Sequence, residues 1–431
     1  MKKQFINSLL CFLFVLGNIS AQQTPAPKQT APFSIEGATA HLGNGEIIEN
    51  SLIMVENGKI SWIGSANMKI ARMGTVIDAK GKHVYPGFIA VNSTLGLVEI
   101  DAVRASDDED EIGSFLPHIR SLIAYNSESK LVESMRPNGV LMAQVVPRGG
   151  TISGTSSVMQ LDAWNWEDAA IKKDGAIHIN WPASLTRGRW WLGEDPGLKV
   201  DPNYTENTEE IKNYFANAKL YLDGENSKVN LPFEAMKGLF DGSQKLFLHA
   251  KSTKEITDAI TIAKEAGINN LVIVHGDEAE KVADLLVKNN IPVVLERPHR
   301  VPDLEDDEYD LPFRMAKTLM DKGITVTIGM EGQMERMNTR NIPFYAGTYA
   351  AYGVSKEDAV KMITLNAAKV LGIDKMVGSL EVGKDATLFI SEGDALDMRG
   401  NILTKAYIQG RNISLETHQT ELWRRYADKL K

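Results

Sequence analysis

The stretch Lys245-Leu246-Phe247-Leu248-His249-Ala250-Lys251-Ser252-Thr253-Lys254-Glu255-Ile256-Thr257-Asp258-Ala259-Ile260 decides the fold. Leu246-Phe247-Leu248 is a short apolar run of strand type. Ser252-Thr253-Lys254-Glu255 is a capping box, the arrangement that satisfies the free N–H groups of a helix start. Ile256, Ala259, Ile260 and Ala263 then fall on one helix face, and Gly267 stops the helix. The alternation continues: strands over 271–274, 291–295 and 324–328, with helices over 278–288, up to Lys322, and from Ser355 to about Leu371. Four successive strand–helix units of this length imply a parallel sheet with helices packed on it. With the strands that precede them, a closed (β/α)8 barrel is the best count. A doubly wound open sheet is the alternative, but no G-x-G-x-x-G follows a first strand.

Upstream, residues 33–84 read as short strands with tight turns at Gly43-Asn44-Gly45, Glu56-Asn57-Gly58-Lys59 and Lys80-Gly81-Lys82. Val84-Tyr85-Pro86-Gly87-Phe88-Ile89-Ala90-Val91-Asn92-Ser93-Thr94-Leu95-Gly96 leaves this β-rich unit and opens the barrel, with Pro86-Gly87 as the punctuation. Downstream, Val377-Gly378-Ser379-Leu380-Glu381-Val382-Gly383-Lys384-Asp385-Ala386-Thr387-Leu388 returns the chain to β structure. In this order the stretches resemble the amidohydrolase superfamily, in its imidazolonepropionase-like branch. The resemblance covers most of residues 33–388 and is weakest over 97–244. It implies a composite β-sandwich from residues 33–84 and 376–415 and a barrel from 85–375. A surface helix is expected over 416–431.

The same resemblance implies a metal site at the C-terminal ends of the barrel strands. His249 and His275 match the family's histidines after strands five and six. Glu331 stands where an aspartate binds metal or acts as general base after strand eight. The two histidines usual after strand one are replaced by Asn92 and Thr94, and Ala90 replaces a nearby acid. Asn92 offers at best a neutral oxygen, and Thr94 is a poor ligand for a divalent ion. A catalytic zinc needs three protein ligands and an open position. His249, His275 and Glu331 supply two nitrogens and one oxygen, so the expected cofactor is one divalent ion, zinc first, at reduced occupancy or absent. With Glu331 as a ligand, Glu99, Asp101 and Glu296 are the candidates by position for a separate base.

Two functions follow. One is a hydrolase of small molecules that cleaves a carbon–nitrogen bond other than an ordinary peptide bond, cyclic amides among them, through a reduced mononuclear site with Glu331 as its catalytic carboxylate. The other is a non-catalytic member that binds a ligand or serves as partner subunit to an intact paralogue. Assembly into homo-oligomers, or hetero-oligomers with such a paralogue, is what the resemblance implies. No G-x-S-x-G elbow suggests a serine nucleophile.

Composition narrows the rest. The chain has 431 residues and a net charge of −9, with no Lys/Arg cluster, which speaks against nucleic acid and anionic membranes as partners. Met1 to Ala21 reads as a secretory signal peptide: Lys2 and Lys3 lead an apolar core of about 12 residues, short for a membrane span, with cleavage near Ala21. The expected location is the periplasm or outside the cell, with no membrane span in the mature chain. The one cysteine, Cys11, lies in this segment, so the mature chain has neither disulfide nor thiolate chemistry. Residues 22–32, with three prolines, read as a flexible leader. The run Asp107-Asp108-Glu109-Asp110-Glu111 reads as a solvated acidic loop, lacking the alternate spacing and turn glycine of a calcium loop. Gly149-Gly150-Thr151-Ile152-Ser153-Gly154-Thr155 lacks the spacing and lysine of a phosphate loop and is expected as a βα loop. Trp181, Trp190 and Trp191 are expected either to wall a pocket or to pack a long loop onto the barrel.

Overall fold

A computed structural model describes residues 24–224, 228–302, 304, 306–331 and 335–430. The signal-peptide expectation for residues 1–21 falls outside them. Among the described residues, no helix is long and apolar enough to cross a membrane.

Eight strands form one sheet whose neighbours run, from the first in sequence, Phe88–Ser93, Val140–Val145, Ile152–Gln160, Ala170–Asn180, Lys245–Ala250, Leu271–His275, Val293–Leu295 and Val326–Ile328. The two edges meet: Val91 and Gly329 form a parallel bridge, and the Met330 N–H donates to the Val91 carbonyl at 2.9 Å. The sheet is thus a closed barrel, and closure removes the exposed edges an open sheet would carry. A side chain at Gly329 would put its Cβ 2.7 Å from Val294 Cγ1 on strand seven, so the backbone there leaves little room for any residue but glycine.

The strand–helix alternation read from residue 245 onward is found, except that the last helix is two, Lys356–Met362 and Leu365–Leu371, with a further helix Ile342–Ala351 before them. The Ser252 hydroxyl accepts from the Glu255 N–H, and the Glu255 carboxylate accepts from the Ser252 N–H, completing the capping box of helix Thr253–Glu265. Ile256, Ala259, Ile260 and Ala263 are all buried on its inner face. Strands four to eight pair in parallel throughout.

The first half departs from that repeat. Strand three runs antiparallel to both strand two and strand four. The reason is length. Residues 146–151 separate strands two and three, whereas a parallel crossover needs about a dozen residues or more. The chain therefore turns straight back, and Gly149-Gly150 makes a ββ turn, not the expected βα loop. Both glycines have positive φ, and a Cβ on Gly150 would lie 2.7 Å from the Gly113 carbonyl and 2.9 Å from that of Ser114.

Two further sheets stand beside the barrel. One has four strands in the order Lys59–Ser65, Ser51–Glu56, Phe33–Glu36, Thr75–Asp78. The other has six and joins both ends of the chain: Arg411–Ile413, Leu403–Ile408, Leu388–Ser391, His83–Pro86, Thr39–His41, Ile47–Ile48. Ile35, Ile53, Val55, Ile60, Val84, Leu388, Ile390 and Tyr407 fill the core between them. Of the tryptophans, Trp181 is buried and its indole N–H donates to the Tyr204 hydroxyl. Trp190 and Trp191 lie exposed between the paired strands Leu185–Arg187 and Leu198–Val200.

A buried charge cluster ties the leader, the barrel and the C-terminal strands together. Asp162, after strand three, accepts from Arg411 at 2.8 Å, from Arg136 at 3.2 Å and from the Ala26 N–H at 3.0 Å. Side chains of Asp162, Arg136 and Arg411 are at most 9% exposed. Removing the acid leaves two guanidinium groups buried without their counter-charge. Asp162→Asn is expected to lower stability by about 3–5 kcal/mol in denaturant melts, and a change below about 1 kcal/mol would show the cluster to be incidental.

Candidate active site

The candidate residues span 82 residues of sequence and meet at the ends of strands five, six and eight. His249 sits in strand five, His275 ends strand six, and Glu331 follows strand eight. Glu331 Oε2 is 3.2 Å from His249 Nδ1 and 3.2 Å from His275 Nε2. One donor atom from each of the three lies within 4.8 Å of the other two. Both histidines are buried, while the Glu331 side chain is 21% exposed, so the cluster opens to solvent on the carboxylate side.

The outer nitrogen of each histidine is also occupied, and this fixes the ring orientations. His249 Nε2 is 3.0 Å from Nδ1 of His178, a fully buried histidine on strand four. His178 Nε2 is 2.8 Å from the Ser156 hydroxyl, to which Gln144 donates at 2.9 Å. Gln144 Oε1 accepts from the Asn92 N–H at 3.1 Å, and the Asn92 amide donates to Glu331 Oε2 at 2.6 Å. The result is a closed polar ring around the barrel interior, drawn from strands one to five and the end of strand eight. On the far side, His275 Nδ1 bonds Glu296, which also lies near Lys251 and Arg300.

Asn92 and His275 have left-handed backbone, φ +58° and +74°. Asparagine tolerates that region better than most residues, whereas histidine there is strained and is held by its surroundings. Strain of this kind gathers at functional sites.

The charges are strongly coupled. Burial opposes ionisation of Glu331, but His249, Arg148 and His275 outweigh it and hold the carboxylate well below its usual range. Burial likewise opposes a charged His275, but Glu331 and Glu296 outweigh it and push the imidazole up to about 9. Burial also works against Glu296, and the His275 bond and charge bring it down to about 2. His249 is lowered by burial, against the pull of Glu331. His178 is held well below its ordinary value by burial, with His249 and Arg148 adding to it.

His249, His275 and Glu331 are therefore brought together as read from the sequence, with Asn92 directly beside them. Thr94 is not in the cluster. Its hydroxyl bonds Glu109, so that residue of the acidic run is drawn inward and half-buried instead of solvated. Of the separate base candidates, Glu296 is engaged with His275, Asp101 pairs with Arg336 and Glu99 accepts from Asn126 at 3.1 Å. Sequence reasoning missed Arg148, His178 and Gln144. The one available signal was Arg148 itself, a cation between a buried strand and two glycines. A cavity of about 680 Å³ lies elsewhere, between helix Ile342–Ala351 and residues 394–398, and none of the cluster lines it.

Donors held about 2.1 Å from one tetrahedral ion stand roughly 3.4 Å apart. The 3.2 Å separations of Glu331 Oε2 from both rings match that spacing. Outer-nitrogen partners such as His178 and Glu296 are what orient histidine ligands. The three residues thus fit a divalent ion. Asn92 does not, because the amide group it turns to the cluster is a donor.

A model of the amidohydrolase family matches residues 230–416. A 5-methylthioadenosine/S-adenosylhomocysteine deaminase from Thermoanaerobacter pseudethanolicus is 24% identical over 371 residues, 81% of this chain and 82% of that protein. An imidazolonepropionase from Clostridium tetani is 24% identical over 383 residues, covering 81% and 86%. Among solved structures, an amidohydrolase from Thermotoga maritima MSB8 superposes with a TM-score of 0.75 at 24% identity, over 88% of this chain and 99% of that one. The family model thus spans the second half of the barrel and the C-terminal strands, and the solved structure shares the fold of nearly the whole chain. Among the described residues the metal-competent cluster is His249, His275 and Glu331, and strand one places Asn92 beside it.

A raised His275 pKa has a direct consequence for the metal-free protein. A group whose folded value lies above its unfolded value stabilises fully below the unfolded value, near 6.5, and loses that contribution as pH rises through about 9. The melting temperature of the metal-free chain is expected to fall between pH 7 and 9.5, and Glu296→Gln to flatten that fall. Parallel pH profiles for the two proteins would contradict the assignment.

Proposed function

We propose that the chain is an exported hydrolase of the imidazolonepropionase-like branch. It acts on a small molecule at a carbon–nitrogen bond other than an ordinary peptide bond, cyclic amides among the substrates. The observation that carries this is the convergence of His249, His275 and Glu331 from strands five, six and eight onto one point. Those residues would hold one divalent ion, and two imidazoles with a carboxylate suit zinc first. When bound, such an ion polarises a carbonyl and makes water a nucleophile near neutral pH.

The chain's own residues divide the remaining work. His178 and Glu296 hold the two imidazoles by their outer nitrogens. Glu331 Oε2 faces the imidazoles and the Asn92 amide. Its other oxygen, Oε1, has no hydrogen-bond donor among the described residues and is the acceptor for the proton of the attacking water. The same carboxyl group can return that proton to the departing nitrogen, since Glu99, Asp101 and Glu296 are taken by Asn126, Arg336 and His275. Export rests on the signal-peptide pattern of residues 1–21.

The second reading is a non-catalytic protein that binds a ligand or supports an intact paralogue. Asn92 favours it, since a donor replaces a ligand at strand one. Metal content separates the two. Protein made with zinc, manganese or iron supplied is expected to hold close to one equivalent per chain, and His249→Ala/His275→Ala to hold none. Trace metal in both proteins would sink the hydrolase reading and leave the second.

A further inference from the structure

Asn92 is the pivot of the strand-one side of the site, and both faces of its amide are taken. Arg148 Nη1 donates to Asn92 Oδ1 at 2.8 Å. Arg148 Nη2 donates to the Asn92 carbonyl at 2.9 Å and to the Met330 carbonyl at 3.3 Å. On the opposite face the Asn92 amide nitrogen donates to Glu331 Oε2 at 2.6 Å. This orientation has no alternative. A guanidinium only donates, so the oxygen must face it, and an ionised carboxylate only accepts, so the nitrogen must face Glu331. Arg148 is fixed from behind as well, its backbone N–H donating to the Glu109 carbonyl at 2.6 Å.

The guanidinium therefore spans the seam between strand one and the residues after strand eight, where the resemblance expects a cation bound by strand-one histidines. Its charge reaches Glu331, His249 and His178, acting on each in the direction a nearby cation requires. Arginine keeps that charge at any working pH.

We infer that Arg148 is a resident cation in the strand-one half of the site, held there by Asn92, so that the centre admits at most one divalent ion and binds it against the arginine's charge. The part about binding against that charge rests on the metal site proposed above. The exclusion of an ion from the strand-one half does not.

The test is titration of Zn²⁺ and Mn²⁺ into the purified full chain by calorimetry, with elemental analysis after desalting. Wild type is expected to take no more than one equivalent. Arg148→Gln, which keeps a donor for Asn92 Oδ1 but no charge, is expected to bind that ion about tenfold tighter or more, the size of effect for one like charge removed from a partly buried site. Arg148→Lys should stay close to wild type. Asn92→His alone should not raise the stoichiometry, because Arg148 Nη2 keeps its bonds to the backbone carbonyls at positions 92 and 330. Two equivalents in wild type, a second equivalent in Asn92→His, or binding by Arg148→Gln no tighter than wild type would overturn the inference. If wild type holds no metal and Arg148→Gln holds one, the hydrolase reading fails while the role of Arg148 stands. If neither binds, both fall. Should Arg148→Gln lack a cooperative melt, Arg148→Met is read by the same criteria.

Discussion

A single amide, that of Asn92, stands between a carboxylate and a guanidinium, and the rest of the site follows from it. Its nitrogen holds Glu331 Oε2 and its oxygen holds Arg148. Its backbone N–H begins the chain of bonds through Gln144, Ser156 and His178 that orients His249. The left-handed backbone at Asn92 lets one residue serve all three directions, and asparagine is among the few residues that adopt it readily. The barrel seam closes one residue earlier, at Val91. Closure of the fold and assembly of the site are thus the same local event.

The second half of the barrel was legible in the sequence because its signals are local. A capping box, a helix stripe and a stopping glycine each lie within a few residues, and the structure reproduces them around helix Thr253–Glu265. His249, His275 and Glu331 were legible for a related reason: each directly follows or ends an apolar strand, and strand ends of a barrel converge. The reversal of strand three was not. An apolar run such as residues 140–146 gives no sense of which direction its neighbour takes, and only the shortness of the 146–151 link reveals it. Arg148 and His178 were hidden for the same cause. Their meaning lies in partners 56 and 71 residues distant, Asn92 and His249. The acidic run was misread because its composition describes five charges alike, while one of them, Glu109, is turned inward onto Thr94.

Electrostatically, the site carries its own compensation. Glu331 is balanced by His275 and Arg148, and Glu296 by His275, Lys251 and Arg300. An unpaired buried carboxylate would neutralise by taking up a proton. Here the surrounding cations keep both acids ionised, so the cluster is poised to accept hydrogen bonds and positive charge whether or not an ion is present.

The reversed third strand also bears on how the barrel comes together. Strands two, three and four form a continuous antiparallel meander over residues 140–180, linked by six and nine residues. The links that flank the meander are far longer, 64 residues from Asn180 to Lys245 and 46 from Ser93 to Val140, counted from the strand limits. Loop closure over short links loses less chain entropy, and local pairings form fastest. The meander is accordingly the part of the barrel that can exist before the rest, with one edge ready for strand one and the other for strand five. The same three adjacent strands carry Gln144, Ser156 and His178, the part of the polar ring that links Asn92 on one side to His249 on the other.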